Sequence, residues 1–177
     1  DEATIGSAFS DVISKSNMTL SSVELLNEES VPKDAAAIII NAPQKDFNKN
    51  DAQKVIDYLQ KGGKAIIVGM HSETEMPNFA SILDTYGVSL TTGPIADNDA
   101  QHYYNMGGPL YLLPNVNSSS YTGSLSGGYV YLPISLGINY PQNSTTDDTE
   151  STEESKTTYT SLLDTSDDAV AKNNPNS

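Results

Sequence analysis

The 177-residue chain contains no cysteine and no tryptophan, and the absence of cysteine excludes several kinds of chemistry at once. Without a thiol the chain has no disulfide, no thiolate metal site and no cysteine nucleophile. Arginine is absent too, because all nine basic residues are lysines, so the guanidinium fork that binds phosphate or carboxylate is missing. No apolar run approaches the roughly 18 residues that a transmembrane helix needs.

Positive charge is scarce. The chain has 23 acidic residues against nine lysines, which gives a net charge of −14 at pH 7. This balance argues against nucleic acid or an anionic membrane surface as a partner. Much of the acidity lies in residues 147–168, where eight acids accompany a single lysine.

The most informative stretch is residues 31–70, where two apolar runs flank a helical pattern. The runs are 35–40 and 65–68, and residues 52, 55, 56 and 59 between them form one apolar stripe. Asn48 can cap this helix, and Gly62 stands where a left-handed stop is expected. The pattern predicts a βαβ unit with parallel strands that are buried on both faces.

The flanking patterns extend this unit into a three-layer α/β fold, with a mostly parallel sheet and helices on both faces. Helices are expected over 4–16 and from Pro77, and strands over 19–26 and 88–91. Since the chain opens on a helix with no strand before it, we expect an excerpt of a longer protein that lacks its first strand. We assign 1–140 to the α/β domain, 141–157 to an acidic low-complexity loop, and 158–177 to a returning strand and a frayed tail.

Residues 93–140 have a different character, because seven of the ten tyrosines fall there. Strands are expected over 110–113 and 129–138, with Pro133 marking an edge or a bulge. Together they form a Tyr-rich β extension. Tyrosine offers a flat apolar face and a polar tip, so these side chains suit a glycan- or peptide-binding surface. Simple packing over the sheet and its edge is the favoured interpretation.

Five motifs in order resemble the auxiliary domain of gliding-motility-type ABC transporter proteins. Three are the runs VPKDAAAIIINAPQKDF, YLQKGGKAIIVG and MPNFASILDTYGV. Asp97 matches an acidic position after the next strand, and Tyr111–Pro114 matches a "Y-hhP" stretch. Near the end, residues 162–166 match "LL-x-TS". The second Asp of the family's "D-x-D" is replaced by alanine here.

The resemblance implies a flavodoxin-like, doubly wound fold related to class I glutamine amidotransferases. It also implies a non-catalytic, extracytoplasmic domain on the outer side of a bacterial membrane, within a longer membrane-anchored protein. The expected partner is the permease and ATPase complex of an ABC transporter, and contact with the membrane would occur only through segments outside this chain. No cofactor is expected.

The carboxyl ends of the strands form the natural binding rim of such a fold. Candidates for this rim are Asn41, Gln44, His71 and Ser72, which follow predicted strands, together with Tyr103, Tyr104 and Tyr111 of the Tyr-rich edge. The run Gly69–Ser72 is also similar to the "GIHSA" of trehalose-utilisation-like proteins. His71 would then occupy the place of the amidotransferase cysteine.

An amidotransferase-like hydrolase that uses His71 with Glu73 or Glu75 is therefore the alternative function. Neighbouring side chains diverge, whereas a nucleophile, a base and an orienting group must converge, so a loop histidine is the simpler interpretation. Asp97 and Asp99 resemble the opening of a calcium loop, but the glycine and the distal glutamate of an EF-hand are missing. The sequence thus favours a non-enzymatic domain that acts by protein interaction or substrate recognition, with a glycan- or peptide-binding module as a second alternative.

Overall fold

A computed structural model describes residues 4–125, 128–141 and 157–172. These residues fall into two compact units that divide between Thr85 and Tyr86. Each unit has its own helices or strands, and each is described by itself below.

The first unit contains three α-helices and two strands among its described residues. In chain order they are α1 (Ser7–Lys15), β1 (Ile38–Asn41), α2 (Lys49–Gln60), β2 (Ala65–Val68) and α3 (Pro77–Asp84), with a 3₁₀ turn at Leu25–Asn27. β1 and β2 pair in parallel, with Ile38 opposite Ala65 and Asn41 opposite Val68. The predicted βαβ unit is therefore confirmed.

The two ends of α2 follow from their sequence. The side chain of Asn48 accepts a hydrogen bond from the backbone N–H of Asp51 at 2.9 Å, which satisfies a donor that the first helical turn leaves free. At the other end Gly62 adopts a left-handed φ of +88°, where a Cβ would be strained. Both features were predicted from the sequence and are confirmed.

Helices α2 and α3 carry the core of the first unit. Val55 and Leu59 of α2 are buried, as are Phe79 and Ile82 of α3, and Ile40 of β1 is buried with them. The spacing of the helical residues places each pair on one side of its helix, so the apolar stripes seen in the sequence are the faces that pack.

The predicted three-layer, flavodoxin-like or amidotransferase-like fold with a mostly parallel sheet is wrong. Among the described residues only β1 and β2 pair in parallel, and every other strand pair is antiparallel. Residues 19–24, where a strand was expected, belong to no strand. Burial also alternates along β2, where Ile66 and Val68 are exposed, so helices do not cover both faces of this pair.

The second unit is built from short antiparallel strands. They are β3 (Ser89–Asp97), β4 (Tyr111–Leu112), β5 (Asn115–Val116), β6 (Leu132–Pro133), β7 (Leu136–Asn139), β8 (Leu163–Asp164) and β9 (Ala169–Ala171), with a 3₁₀ turn at Gly123–Leu125. β3 lies between β7 and β9 in a three-stranded sheet, while β4 pairs with β6 and β5 with β8.

The predicted strand over 129–138 is divided in two. Ile134 has a φ of +50°, a left-handed conformation that a β-branched residue rarely adopts, and it ends β6 before β7 begins. The returning strand predicted within 158–177, which the apolar pattern places at 158–163, is likewise replaced by β8 at Leu163–Asp164. Most of the predicted acidic loop and the end of the predicted tail, at 142–156 and 173–177, lie outside the described residues.

Candidate functional site

In the first unit the predicted rim lies where β1 and β2 end. Because the strands are parallel and Asn41 is opposite Val68, the segments that follow them leave the same edge of the pair. Asn41 is half-buried, while Gln44 is exposed and donates a hydrogen bond to the carbonyl of Ala42 at 3.0 Å. Ala42 has a φ of +47°, so the chain turns sharply as it leaves β1.

Asp46 ties the segment after β1 to the start of α3. Its carboxylate accepts hydrogen bonds from the backbone N–H groups of Asn78 and Phe79, at 3.1 and 2.9 Å, and from the side-chain amide of Asn78 at 2.8 Å. Met76, the residue before α3, supplies no side-chain cap, so a residue 30 positions earlier performs this role. Sequence reasoning missed Asp46, because a cap from a distant segment leaves no local signal.

We expect Asp46→Ala to lower the free energy of unfolding by about 2 kcal/mol, since it removes both the helix cap and the link between the two segments. Urea denaturation followed by circular dichroism measures this loss. Asp34, which is exposed and whose side chain bonds to none of the described residues, provides the control: Asp34→Ala should change stability by less than about 0.5 kcal/mol. Equal losses in the two variants would contradict the capping role.

The candidate catalytic residues do not converge in the described part of the first unit. His71 makes no hydrogen bond or ion pair there. The hydroxyl of Ser72 accepts from the N–H of Thr74 at 3.1 Å and donates to its carbonyl at 2.9 Å, which is a local turn. Glu73 and Glu75 are exposed. Among the described residues of this unit, no contact joins these side chains as nucleophile, base and orienting group.

A groove of about 430 Å³ lies elsewhere in this unit, beside the carboxyl-terminal end of α2. Four of the nine lysines line it: Lys33, Lys54, Lys61 and Lys64. The ammonium group of Lys54 is already engaged, because it donates to the carbonyl of Leu25 and to the carboxylate of Asp51. None of the predicted rim residues lines this groove.

In the second unit Asp97 is the most deeply buried charged residue described, with 1% of its surface exposed. Its carboxylate accepts from the backbone N–H and the hydroxyl of Ser166, at 2.9 and 2.5 Å, and from the N–H of Asp99 at 3.0 Å. Burial alone would raise the pKa of Asp97. The hydrogen bonds from Ser166 and Asp99, with the nearby His102, outweigh it and lower the pKa below its usual value.

His102 lies between two acceptors. One ring nitrogen is 3.1 Å from the Asp99 carboxylate, and the other is 3.2 Å from the side-chain oxygen of Asn115. Desolvation would lower the pKa of His102, but the bonds to Asn115 and Asp99 and the acidic charges raise it above its usual value. Asp97 and Asp99, which were candidates for an ion site, are thus engaged with protein groups. No group of three or more metal-ligating side chains occurs among the described residues.

The tyrosines named in the prediction do come together. Tyr103 forms a bridge with Leu112, and the N–H of Tyr104 donates to the carbonyl of Tyr111 at 2.8 Å. Tyr131, from the segment that leads into β6, packs on both: its ring lies edge-on to Tyr104 and stacks on Tyr111, each at 6.1 Å between centroids. We call Tyr104, Tyr111 and Tyr131 the tyrosine cluster.

Met106, beside the tyrosine cluster, projects outwards, and so does Tyr129, two residues before Tyr131 in the sequence. Met106 is 88% exposed and Tyr129 is 91% exposed, and the Tyr104 hydroxyl lies 3.2 Å from the Met106 sulfur. The sequence from residue 100 to residue 146 contains no Asp, Glu, Lys or Arg, although the whole chain has 32 such residues. The cluster therefore lies in an uncharged stretch of an acidic chain.

The comparisons with known proteins give one structural likeness. No family model matches the chain, and no curated protein matches its sequence. Among solved structures, the chain is similar to one titled "mmIFT52 N-terminal domain", with a TM-score of 0.57 and 14% identity. The likeness covers 78% of this chain and 63% of that one, so this chain spans less than two thirds of its neighbour. At such identity the likeness concerns the fold alone, and the match is to an IFT52 domain, not to a flavodoxin-like protein.

Proposed function

We propose that this chain is a non-catalytic domain that acts by protein contact, with the tyrosine cluster as its contact surface. Its place would be the extracytoplasmic side of a bacterial membrane, in a longer protein that works with the permease and ATPase complex of an ABC transporter. The five ordered motifs of the resemblance support this setting. None of the described helices combines the length and the apolar character that a bilayer crossing demands.

The observation that carries the proposal is the composition of the exposed surface around the tyrosine cluster. Protein contact sites are enriched in tyrosine and methionine and depleted of lysine, aspartate and glutamate. Tyr129 and Met106 project almost fully into solvent, and both belong to the charge-free stretch of sequence from 100 to 146. Rigid rings with few rotatable bonds lose little entropy when a partner covers them.

The shape of this surface favours a protein partner over a small ligand. Side chains that are about nine-tenths exposed stand above their surroundings, and they do not line a cleft. Small-molecule sites, in contrast, are concave and enclose most of the ligand. Projecting anchors of this kind suit pockets on a larger partner.

The experiment is a binding titration of the intact chain with a purified permease and ATPase complex from the same cell. Replacing a central aromatic anchor of an interface by alanine removes about 2 kcal/mol of binding energy or more, which is about a thirtyfold loss of affinity. We expect Tyr104→Ala and Met106→Ala, which remove an exposed ring of the cluster and the side chain beside it, to approach this loss together, and His71→Ala to leave the affinity unchanged.

Tyr121 supplies the matched control. It is exposed in the same unit and the same uncharged stretch, but its ring contacts none of the tyrosine cluster. Tyr121→Ala should therefore bind as the unchanged chain does. Equal losses at Tyr121 and Tyr104, or no binding at all, would refute the proposal. A hydrolytic activity that disappears in His71→Ala would establish the alternative.

A further inference from the structure

Strand β7 is an edge of the three-stranded sheet in the second unit. The strand order is β7–β3–β9, so among the described residues β7 has a hydrogen-bonded neighbour only on the side of β3. An edge strand presents unpaired N–H and C=O groups along its outer side, and these groups can pair with another strand.

Proteins usually protect such edges with charges, and the two edges of this sheet differ in that respect. The opposite edge, β9, follows Asp167 and Asp168 directly and precedes Lys172. β7 has no charged residue within it or on either side, although Ile138 is 64% exposed. Within the described part of the chain, the sheet therefore has one edge flanked by charges and one edge that is neither charged nor paired.

Charge indicates which strand the open edge accepts. Two copies of a chain with a net charge of −14 repel each other, and this repulsion is weakest where the approaching surfaces carry no charge. β7 lies in the charge-free stretch from 100 to 146, so the β7 strands of two copies bring no charged side chain of their own to the contact. A two-fold axis also requires a patch that matches itself, and an uncharged strand edge does so.

We propose that β7 is a self-association surface, at which the β7 strands of two copies pair antiparallel across a two-fold axis. The two sheets would then continue through six strands, in the order β9–β3–β7–β7–β3–β9. The exposed Ile138 side chains lie close to the axis and bury each other. β7 has only four residues, so the dimer is weak and reversible.

Sedimentation equilibrium of the intact chain from micromolar to millimolar concentration tests this proposal. We expect a monomer–dimer equilibrium that shifts towards the dimer as salt is added, because salt screens repulsion between the acidic copies. A contact held by opposite charges would weaken with salt instead. A chain that stays monomeric at every concentration and salt level would overturn the proposal. It would do so even if the β7 edge pairs with a strand of a different protein.

Two matched substitutions locate the contact. Ile138→Lys places like charges opposite each other at the axis, and we expect it to weaken the dimer at least about tenfold. Val170→Lys makes the same change of charge at an exposed residue of β9 and should leave the equilibrium as it was. Equal effects of the two substitutions, or none from Ile138→Lys, would overturn the proposal.

A distance measurement keeps the test open if Ile138→Lys fails to fold. The chain contains no cysteine, so Ile138→Cys and Val170→Cys each accept a single nitroxide label. In the dimer the labels at position 138 lie close together, and those at position 170 lie five strand spacings apart, which is roughly 24 Å. Pulsed electron resonance that finds no short distance at position 138, under conditions where the dimer is populated, would reject the β7 pairing.

Discussion

Asp97→Ala should lower the free energy of unfolding by about 3 to 5 kcal/mol, the largest effect that we expect from any single substitution. Three donors now converge on the Asp97 carboxylate: the N–H and hydroxyl of Ser166 and the N–H of Asp99. Removing the acceptor leaves these part-buried donors without their partner, and each unpaired buried donor costs about 1 to 3 kcal/mol. Chemical denaturation of the two proteins at pH 7 measures the difference.

The hydrogen bonds to Asp97 also make the free energy of unfolding depend on pH, in a direction that the pKa shift defines. The pKa of Asp97 is lower in the folded protein than in the unfolded chain, so its stabilisation is complete above the unfolded value of 3.8. It is lost as the pH falls through the folded pKa. His102 has the opposite sign, because its pKa is raised from 6.5, and its contribution is lost as the pH rises through the folded value. The stability gap between the unchanged protein and Asp97→Ala should therefore narrow below about pH 4.

Asp167 provides the control for Asp97. It lies one residue beyond Ser166, its side chain is exposed, and that side chain bonds to no other residue that the structure describes. Asp167→Ala removes the same formal charge, so a general effect of net charge would appear in both variants. We expect a change of less than about 0.5 kcal/mol from Asp167→Ala. If the stability difference between the unchanged protein and Asp97→Ala stays constant down to pH 3, the result would contradict a lowered pKa at Asp97.

The parts of the fold that the sequence predicted are those set by neighbouring residues. The stripe through Val55 and Leu59, the cap at Asn48 and the stop at Gly62 each depend on residues within a few positions of one another. Their physical cause is local: side-chain spacing on a helix, one hydrogen bond and one backbone angle. The helix and the two strands around it follow from these causes.

The direction and number of the strands could not be obtained in the same way. An apolar run shows that a strand is partly buried, but it does not show which strand lies beside it. The run at 65–68 was interpreted as buried on both faces, whereas Ile66 and Val68 are exposed. β3 takes its neighbours, β7 and β9, from segments about 45 and 75 positions away, and both run antiparallel to it. That pairing leaves no local pattern.

The candidate site shows the same division between local and distant causes. Tyr103, Tyr104 and Tyr111 were predicted together from their density in the sequence, and they do lie together on and beside β4. The partner ring of Tyr131 and the bond between Asp97 and Ser166 join residues 20 and 69 positions apart. Asp97 and Ser166 each match a separate motif of the resemblance, and only the structure shows that they bond to each other.

In the first unit Ile82→Ala should cost about 3 to 4 kcal/mol of unfolding free energy. Ile82 is completely buried on α3, and it belongs to the apolar stripe that also contains Phe79. Truncation to alanine removes three carbons and leaves a cavity that the packed helices α2 and α3 fill only in part. The measurement is chemical denaturation, with the slope compared between variants to exclude a change in the unfolded state.

Ile66 is the matched control, because it is the same residue type in the same unit but lies on the exposed face of β2. Ile66→Ala should cost about 1 kcal/mol or less, since water already covers much of that side chain. Ile82→Val, which removes one carbon, should fall between them at about 1 kcal/mol. Equal losses at Ile82 and Ile66 would mean that the β1–β2 pair is covered on both faces after all. The comparison therefore tests the corrected fold of this unit, because a face that is open to water and a helix that is fully packed cannot respond equally.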